Sequence, residues 1–515
     1  MPIPWWQRGA IYQIYPRSFA DSDGDGIGDL RGIIDRLDHL ADLRVAGIWL
    51  SPFYPSPMAD FGYDVADYRG VDPVFGTLQD FDELVREAHA RDIRVVIDLV
   101  PNHTSDQHPW FAESRSSRDN PKRDWYVWRD GRGPGTPPND WKSSFPAVGG
   151  AWTYDEATEQ WYLHSFLPQQ PDLNWDEPEV EAAIHDVMRF WCDRGVDGFR
   201  IDVVYKLAKD PLLRDPAPGA PVTWEDWQPT IHERLRRLRS VVDEYPERVL
   251  VGEVYLLDLE RVVAYVNSGD ELHLAHNFVF VHLPWDAAAF RGAIDSFEAL
   301  STEAAWPAWF LANHDHPRVA SRFGERQARA VLLMLYALRG TPFVYQGEEL
   351  GLPDAEIAPD RVVDVDGRDP ERAPIPWLPP SQAGPGAGFS AGEPWLPITS
   401  RAEELNAQRQ AGDGDSALSL ARRLASLRAR EPVLQDGGQR SLDAGDDLLA
   451  WLRVAADQRM LAVVNFAGAQ RPFSAAPDLP QTARLELSTD PGRGPGPLDL
   501  RDLTLGPYEA LLAHV

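Results

Sequence analysis

Val196-Asp197-Gly198-Phe199-Arg200-Ile201-Asp202-Val203-Val204 reads as a β-strand that carries charge where a buried strand ordinarily carries none. Alternation sends Arg200 and Asp202 to one face and Phe199, Ile201 and Val203 to the other. Such a segment fits a strand whose body is packed and whose C-terminal end opens on a mouth. Seven further apolar runs, rich in β-branched residues, share its character: Ile11–Tyr15, Ala46–Leu50, Ile93–Val100, Val249–Val254, Asn277–Val281, Ala308–Ala312 and Pro342–Tyr345. Helical patterning lies between most of them, as at Asp80–Arg91, Pro178–Arg194, Thr230–Glu244 and Gln327–Leu338. Near-continuous apolar strands alternating with helices belong to a parallel sheet covered on both faces. Eight such units predict an α/β protein built on a (β/α)8 TIM barrel. The competing doubly wound open sheet calls for a glycine-rich phosphate loop after its first strand, and the first run is not followed by one.

The spacing of the runs places the remaining parts. About a hundred residues separate the third run from the fourth, too many for a structureless loop, so residues 105–171 are expected to form a small inserted subdomain over the barrel mouth. The barrel then comprises residues 1–104 and 172–430. A Pro/Gly/Asp-rich stretch from Tyr345 to about Gly414 reads as a long loop at the site, and the helix Ser416–Arg428 follows it. Short strand patterns such as Leu448–Val454 and Met460–Asn465 predict a C-terminal β-sandwich over residues 431–515.

The 515 residues suffice to bury a core without disulfide or metal staples. Lys and Arg total 50 against 80 Asp and Glu, a formal charge of −30, which argues against a nucleic-acid or anionic membrane partner. The single Cys192 excludes an intramolecular disulfide and a Cys-based zinc site. Without a secretory pattern at the start or a run long enough to span a bilayer, a cytoplasmic location is the expectation, with oligomeric state undetermined.

Polar residues gather at the ends of the runs. Glu253 ends the fifth, Asp315 lies just past the seventh within Asn313-His314-Asp315, and Asp98, Asn102 and His103 close the third. In a barrel the C-terminal strand ends converge on one point, which is how barrel enzymes assemble a site. Arg200 beside Asp202 favours an ionised carboxylate, as a nucleophile requires, although a structural ion pair would give the same pattern. Two carboxylates flanking one bond is the requirement of glycoside hydrolysis. The aromatics of the insert, Trp125, Trp128, Trp141, Phe145, Trp152, Trp161 and Phe166, suit sugar stacking, while most of them are expected to form the insert's own core.

Together Asp98-Leu-Val-Pro-Asn-His103, Gly198-Phe-Arg-Ile-Asp202, Gly252-Glu253-Val254 and Asn313-His314-Asp315 resemble the four hallmark segments of the α-amylase family, family 13 of the glycoside hydrolases, in the family's order. Gln170-Pro-Asp-Leu-Asn174, Tyr12-Gln-Ile-Tyr-Pro-Arg-Ser-Phe19, Gly62-Tyr63-Asp64 and Gly367-Arg-Asp-Pro-Glu-Arg-Ala-Pro-Ile-Pro-Trp377 resemble its α-glucosidase and oligo-1,6-glucosidase branch. The resemblance implies Asp202 as nucleophile, Glu253 as general acid/base and Asp315 as the third, transition-state carboxylate. It further implies that Asp64, His103, Arg200, His314 and Arg372 hold the terminal glucose and that Tyr63, Phe145 and Phe166 wall it.

The implied activity is a retaining, exo-acting α-glucosidase on disaccharides and short oligosaccharides. A glucosyl transferase or disaccharide isomerase is the alternative, since one intermediate serves all three. In the resembled enzymes Val after the nucleophile accompanies α-1,6 cleavage, so Val203 implies isomaltose- or sucrose-like substrates over maltose. The Pro-rich segment Leu207 to Trp227 would border the leaving-group side.

Asp21-Ser-Asp23-Gly-Asp25-Gly-Ile27-Gly-Asp29 has oxygen ligands at the spacing of a calcium loop, with Ile27 contributing its backbone oxygen and Gly32 where such a loop carries Glu. It resembles the metal loop of this branch. A Ca²⁺ or Mg²⁺ there would be structural, because the carboxylate chemistry needs no metal. An acidic, Gly-rich turn without an ion is the alternative.

Overall fold

The structure is a computed structural model that describes residues 3–215, 227–456, 458–474 and 477–515. Eight parallel strands close into a barrel in sequential order: β1 (Ile11–Ile14), β2 (Gly47–Leu50), β3 (Arg94–Leu99), β4 (Gly198–Ile201), β5 (Val249–Val254), β6 (Leu274–Asn277), β7 (Ala308–Trp309) and β8 (Thr341–Tyr345). Their alternation is visible in the packing. Trp49, Val96, Val251, Leu274 and Phe343 fill the barrel interior, whereas Ile48, Leu50, Val95, Ile97, Phe199 and Leu250 pack against the surrounding helices. Gly198 is needed where β4 meets β5, since a Cβ there would stand 2.3 Å from the Val249 carbonyl oxygen.

The sixth strand lies earlier in the chain than the apolar run suggested. Residues 278–281, expected as strand, belong instead to the short helix Phe278–His282, and β6 meets the predicted run only at Asn277. The Asn277 side chain accepts a hydrogen bond from the Val279 N–H and caps that helix. The helix after β2 begins at Leu78 through a capping box between Thr77 and Asp80.

Between β3 and β4 the chain forms a three-stranded antiparallel sheet, Trp128–Arg129, Gln160–Leu163 and Trp152–Asp155. Most of its aromatics pack on one another: Phe111 stacks on Trp128, and Trp141 and Trp152 share a separate small cluster. After β8 the chain is largely irregular until the helix Ala417–Arg430. The C-terminal region is a six-stranded antiparallel sheet with a two-stranded ribbon, Arg471–Pro472 and Thr504–Leu505. Leu449, Trp451, Met460, Ala462 and Val464 face the barrel helices, and Leu448, Ala450, Leu452, Leu461 and Val463 face the other way, with Phe473 and Leu505. The predicted sandwich is thus one large sheet whose second layer is a short ribbon, because the barrel itself covers the other face.

Candidate active site

The strand ends bring the candidate carboxylates together through one guanidinium. Arg200, 1% exposed, donates to Asp98 at 2.6 Å, to Asp202 at 2.9 Å and to Glu253 at 2.6 Å. Three carboxylates share one cation, so the cluster cannot be fully ionised without excess negative charge. Burial, then the charge of Glu253, push the Asp202 carboxyl well above its ordinary range, and Arg200 opposes this only in part. The carboxyls of Asp202 and Glu253 are neighbours, and both are held by the Arg200 guanidinium. Burial likewise lifts Asp98 to about 6. Arg200 favours the ionised form of Asp202, as expected, but it is divided among three partners, and burial and Glu253 work against it.

β4 ends at Ile201, and Val203 turns into the left-handed region at φ 36°. That conformation is costly for a β-branched residue. It aims the Val203 N–H at Glu253, 3.0 Å away, and lets the Val203 side chain line the cavity, where continued strand alternation would have turned it away from Asp202.

Above this cluster opens a cavity of about 390 Å³, lined among others by Tyr63, His103, Phe145, Phe166, Asp202, Glu253 and Asp315. Phe145 and Phe166 meet edge to face at 5.4 Å, so these two aromatics of the insert look into the site. Burial lowers His103 to about 4, which leaves it neutral near pH 7. Burial also tends to raise Asp315, but His314, Arg368 and Arg372 outweigh it and hold that carboxyl well below its ordinary range.

The remaining predicted residues stand behind the wall. Asp64 is fully buried and accepts hydrogen bonds from Ser56 and from the N–H groups of Ala59 and Asp60. Arg372 is fully buried too, donating to the His314 carbonyl and to Asp315 and Asp364. His314 stacks on Tyr63 at 5.3 Å and contacts Gln13 at 2.7 Å. Arg200 lies beneath the carboxylates. Asp64 and Arg372 therefore shape the pocket without lining it, which corrects their expected place. Asp60 and Arg368 line it instead, paired at 2.7 Å, with Arg368 also on Asp315 at 3.0 Å and Asp364 at 2.6 Å. Each precedes the expected residue by four positions in an irregular loop, where no periodicity indicates which of two like charges faces inward.

In the loop after β1, carboxylate oxygens of Asp21, Asp23 and Asp29 lie within 4.8 Å of one another. Hard oxygen donors at that closeness fit Ca²⁺ or Mg²⁺. Asp25 lies outside the group, its carboxylate turned to the Ile27 N–H. Glycines make the curl possible: Gly24 and Gly26 have φ of 86° and 93°. Residues 216–226 of the Leu207–Trp227 segment lie outside the described residues.

A closed (β/α)8 barrel with paired carboxylates at its strand ends, facing an aromatic-walled pocket, defines a glycoside hydrolase. The description "Alpha amylase, catalytic domain" matches residues 13–437, and the chain belongs to that family. It is 43% identical to a probable alpha-glucosidase of Rhizobium meliloti (strain 1021), covering 90% of this chain and 89% of the relative. It is 36% identical to an oligo-1,6-glucosidase of Parageobacillus thermoglucosidasius, covering 98% of each. Among solved structures it is similar to the alpha-glucosyl transfer enzyme XgtA, at 40% identity, TM-score 0.92 and 99% coverage of both chains. Among the described residues no helix is long and apolar enough to cross a membrane.

Proposed function

We propose that the chain is a retaining, exo-acting α-glucosidase that releases terminal α-linked glucose from disaccharides and short oligosaccharides. The observation that carries this reading is the Asp202–Glu253 pair, held by one arginine, at the floor of a pocket whose wall is fixed by the Asp60–Arg368 ion pair. Asp202 attacks the anomeric carbon while the departing glycosidic oxygen takes the proton from Glu253. The glycosidic bond breaks and a glycosyl ester to Asp202 forms. Water then attacks the anomeric carbon of that ester and passes a proton back to Glu253, and the bond between that carbon and the Asp202 oxygen breaks, freeing the carboxylate. Asp315, held ionised by its arginines, offsets positive charge on the sugar ring between these states. The volume of about 390 Å³ sits near the lower end of ligand pockets, about 300–1,000 Å³, which favours one sugar ring and its neighbour over a long chain.

A second reading has support: a sugar hydroxyl in place of water would make the enzyme a glucosyl transferase or disaccharide isomerase, and the similar XgtA is named for glucosyl transfer. Incubation with p-nitrophenyl α-glucoside, then with maltose, isomaltose, sucrose and trehalose, tests both. Free glucose as main product supports hydrolysis, new glucosides support transfer, and an inert, folded protein sinks the assignment. We further infer a structural Ca²⁺ or Mg²⁺ held by Asp21, Asp23 and Asp29, and a location in the cytoplasm.

A further inference from the structure

The charge lining the pocket is one-sided. Asp60, Asp202, Glu253, Asp315 and Asp366 face the cavity, and Arg368 is the arginine on its wall. Arg368 is spent on Asp60, Asp315 and Asp364, at 2.6 to 3.0 Å. The guanidiniums beneath are engaged as well, Arg200 with three carboxylates and Arg372 with Asp315 and Asp364. His103 and His316, also on the wall, are each lowered by burial to about 4. Lys206 is buried and donates to Ser144 Oγ at 3.0 Å, and Lys209 pairs with Asp172. Residues 216–226 add no positive charge, since their sequence contains no Lys, Arg or His. Asp366 differs from the other carboxylates. It is exposed, stands in the loop Val362–Gly367 between exposed Val365 and Gly367, and no hydrogen bond or ion pair among the described residues engages its side chain.

We propose that this site selects neutral over anionic glucosides, and that Asp366 is the specificity-determining residue that repels a phosphorylated or carboxylated leaving group at the mouth. The inference rests on the α-glucosidase reading and narrows its substrate class. A like charge brought beside Asp366 is repelled, and the nearby Arg368, already engaged by Asp60, Asp315 and Asp364, offsets this only in part; the repulsion weakens with salt.

The test compares phenyl α-glucoside with its 4-carboxyphenyl analogue at low and high salt. The wild type should favour the neutral compound by about tenfold in kcat/KM, and high salt should shrink that ratio. Asp366→Asn should narrow the ratio several-fold and Asp366→Lys should narrow it further, with the change confined to the anionic substrate's salt dependence. If both compounds are cleaved equally, or the ratio ignores salt and Asp366→Asn, the inference is overturned while the glucosidase reading stands. If neither is cleaved, that reading fails. Calorimetric binding of the same two compounds then decides the charge selection alone, equal affinities overturning it and weaker, salt-dependent binding of the anion upholding it.

Discussion

Replacing Arg200 by Met keeps the length of the side chain and removes the one cation that Asp98, Asp202 and Glu253 share. Breaking a buried ion pair from one side costs about 3–5 kcal/mol, because the partner charge stays behind unpaired. The cost must depend on pH, and its sign follows from Asp98. Burial raises that carboxyl from 3.8 to about 6. A carboxyl raised in the folded state favours folding while it carries its proton. That advantage is lost as pH climbs from the unfolded value through the folded one, about 3 kcal/mol for Asp98 in the wild type between roughly pH 4 and 6. Without Arg200 the folded carboxyls titrate higher still, so the loss reaches further up the pH scale. Arg200→Met should therefore lie within about 1 kcal/mol of the wild type at pH 4.5 and about 3–5 kcal/mol below it at pH 8. Urea unfolding at the two pH values measures this. The same loss in the transition state would lower kcat/KM by about 10²–10⁴ at pH 7. A stability gap equal at both pH values, or a variant as stable as wild type at pH 8, would refute the shared-cation reasoning.

Glu253→Gln should retain far more of the first step on p-nitrophenyl α-glucoside than on a disaccharide, because a good leaving group needs no proton; equal losses on the two would remove Glu253 from the acid role. Chelation should lower the unfolding temperature if a cation sits among Asp21, Asp23 and Asp29, by mass action on the folded state, and a metal-free protein by elemental analysis with an unshifted Tm would end that proposal. Val203→Thr, nearly isosteric but polar on the cavity wall, should raise the maltose-to-isomaltose ratio of kcat/KM within the roughly 10–200-fold span of one pocket contact, and an unchanged ratio would clear Val203 of that role.

The barrel was legible because a strand buried on both faces must be a continuous apolar run, and seven of the eight runs coincide with strands. The sixth was misplaced because His276 and Asn277 make its end polar, while the apolar residues that follow belong to a helix. Asp202, Glu253 and Asp315 could be read from sequence because strand ends in a barrel have only one place to converge. Asp60, Arg368 and Asp366 could not. They sit in irregular loops whose course is set by tertiary hydrogen bonds, such as those of Asp64 with Ala59 and Asp60, and not by a repeating pattern. The sharing of Arg200 among Asp98, Asp202 and Glu253 was equally hidden, since it depends on how the strand ends pack.

Proton NMR of the first glucose released from an α-glucoside tests the double displacement at Asp202 most directly. The account predicts the α anomer first, with β-glucose growing in only by mutarotation. Initial release of β-glucose would mean a single displacement by water and would contradict Asp202 as nucleophile.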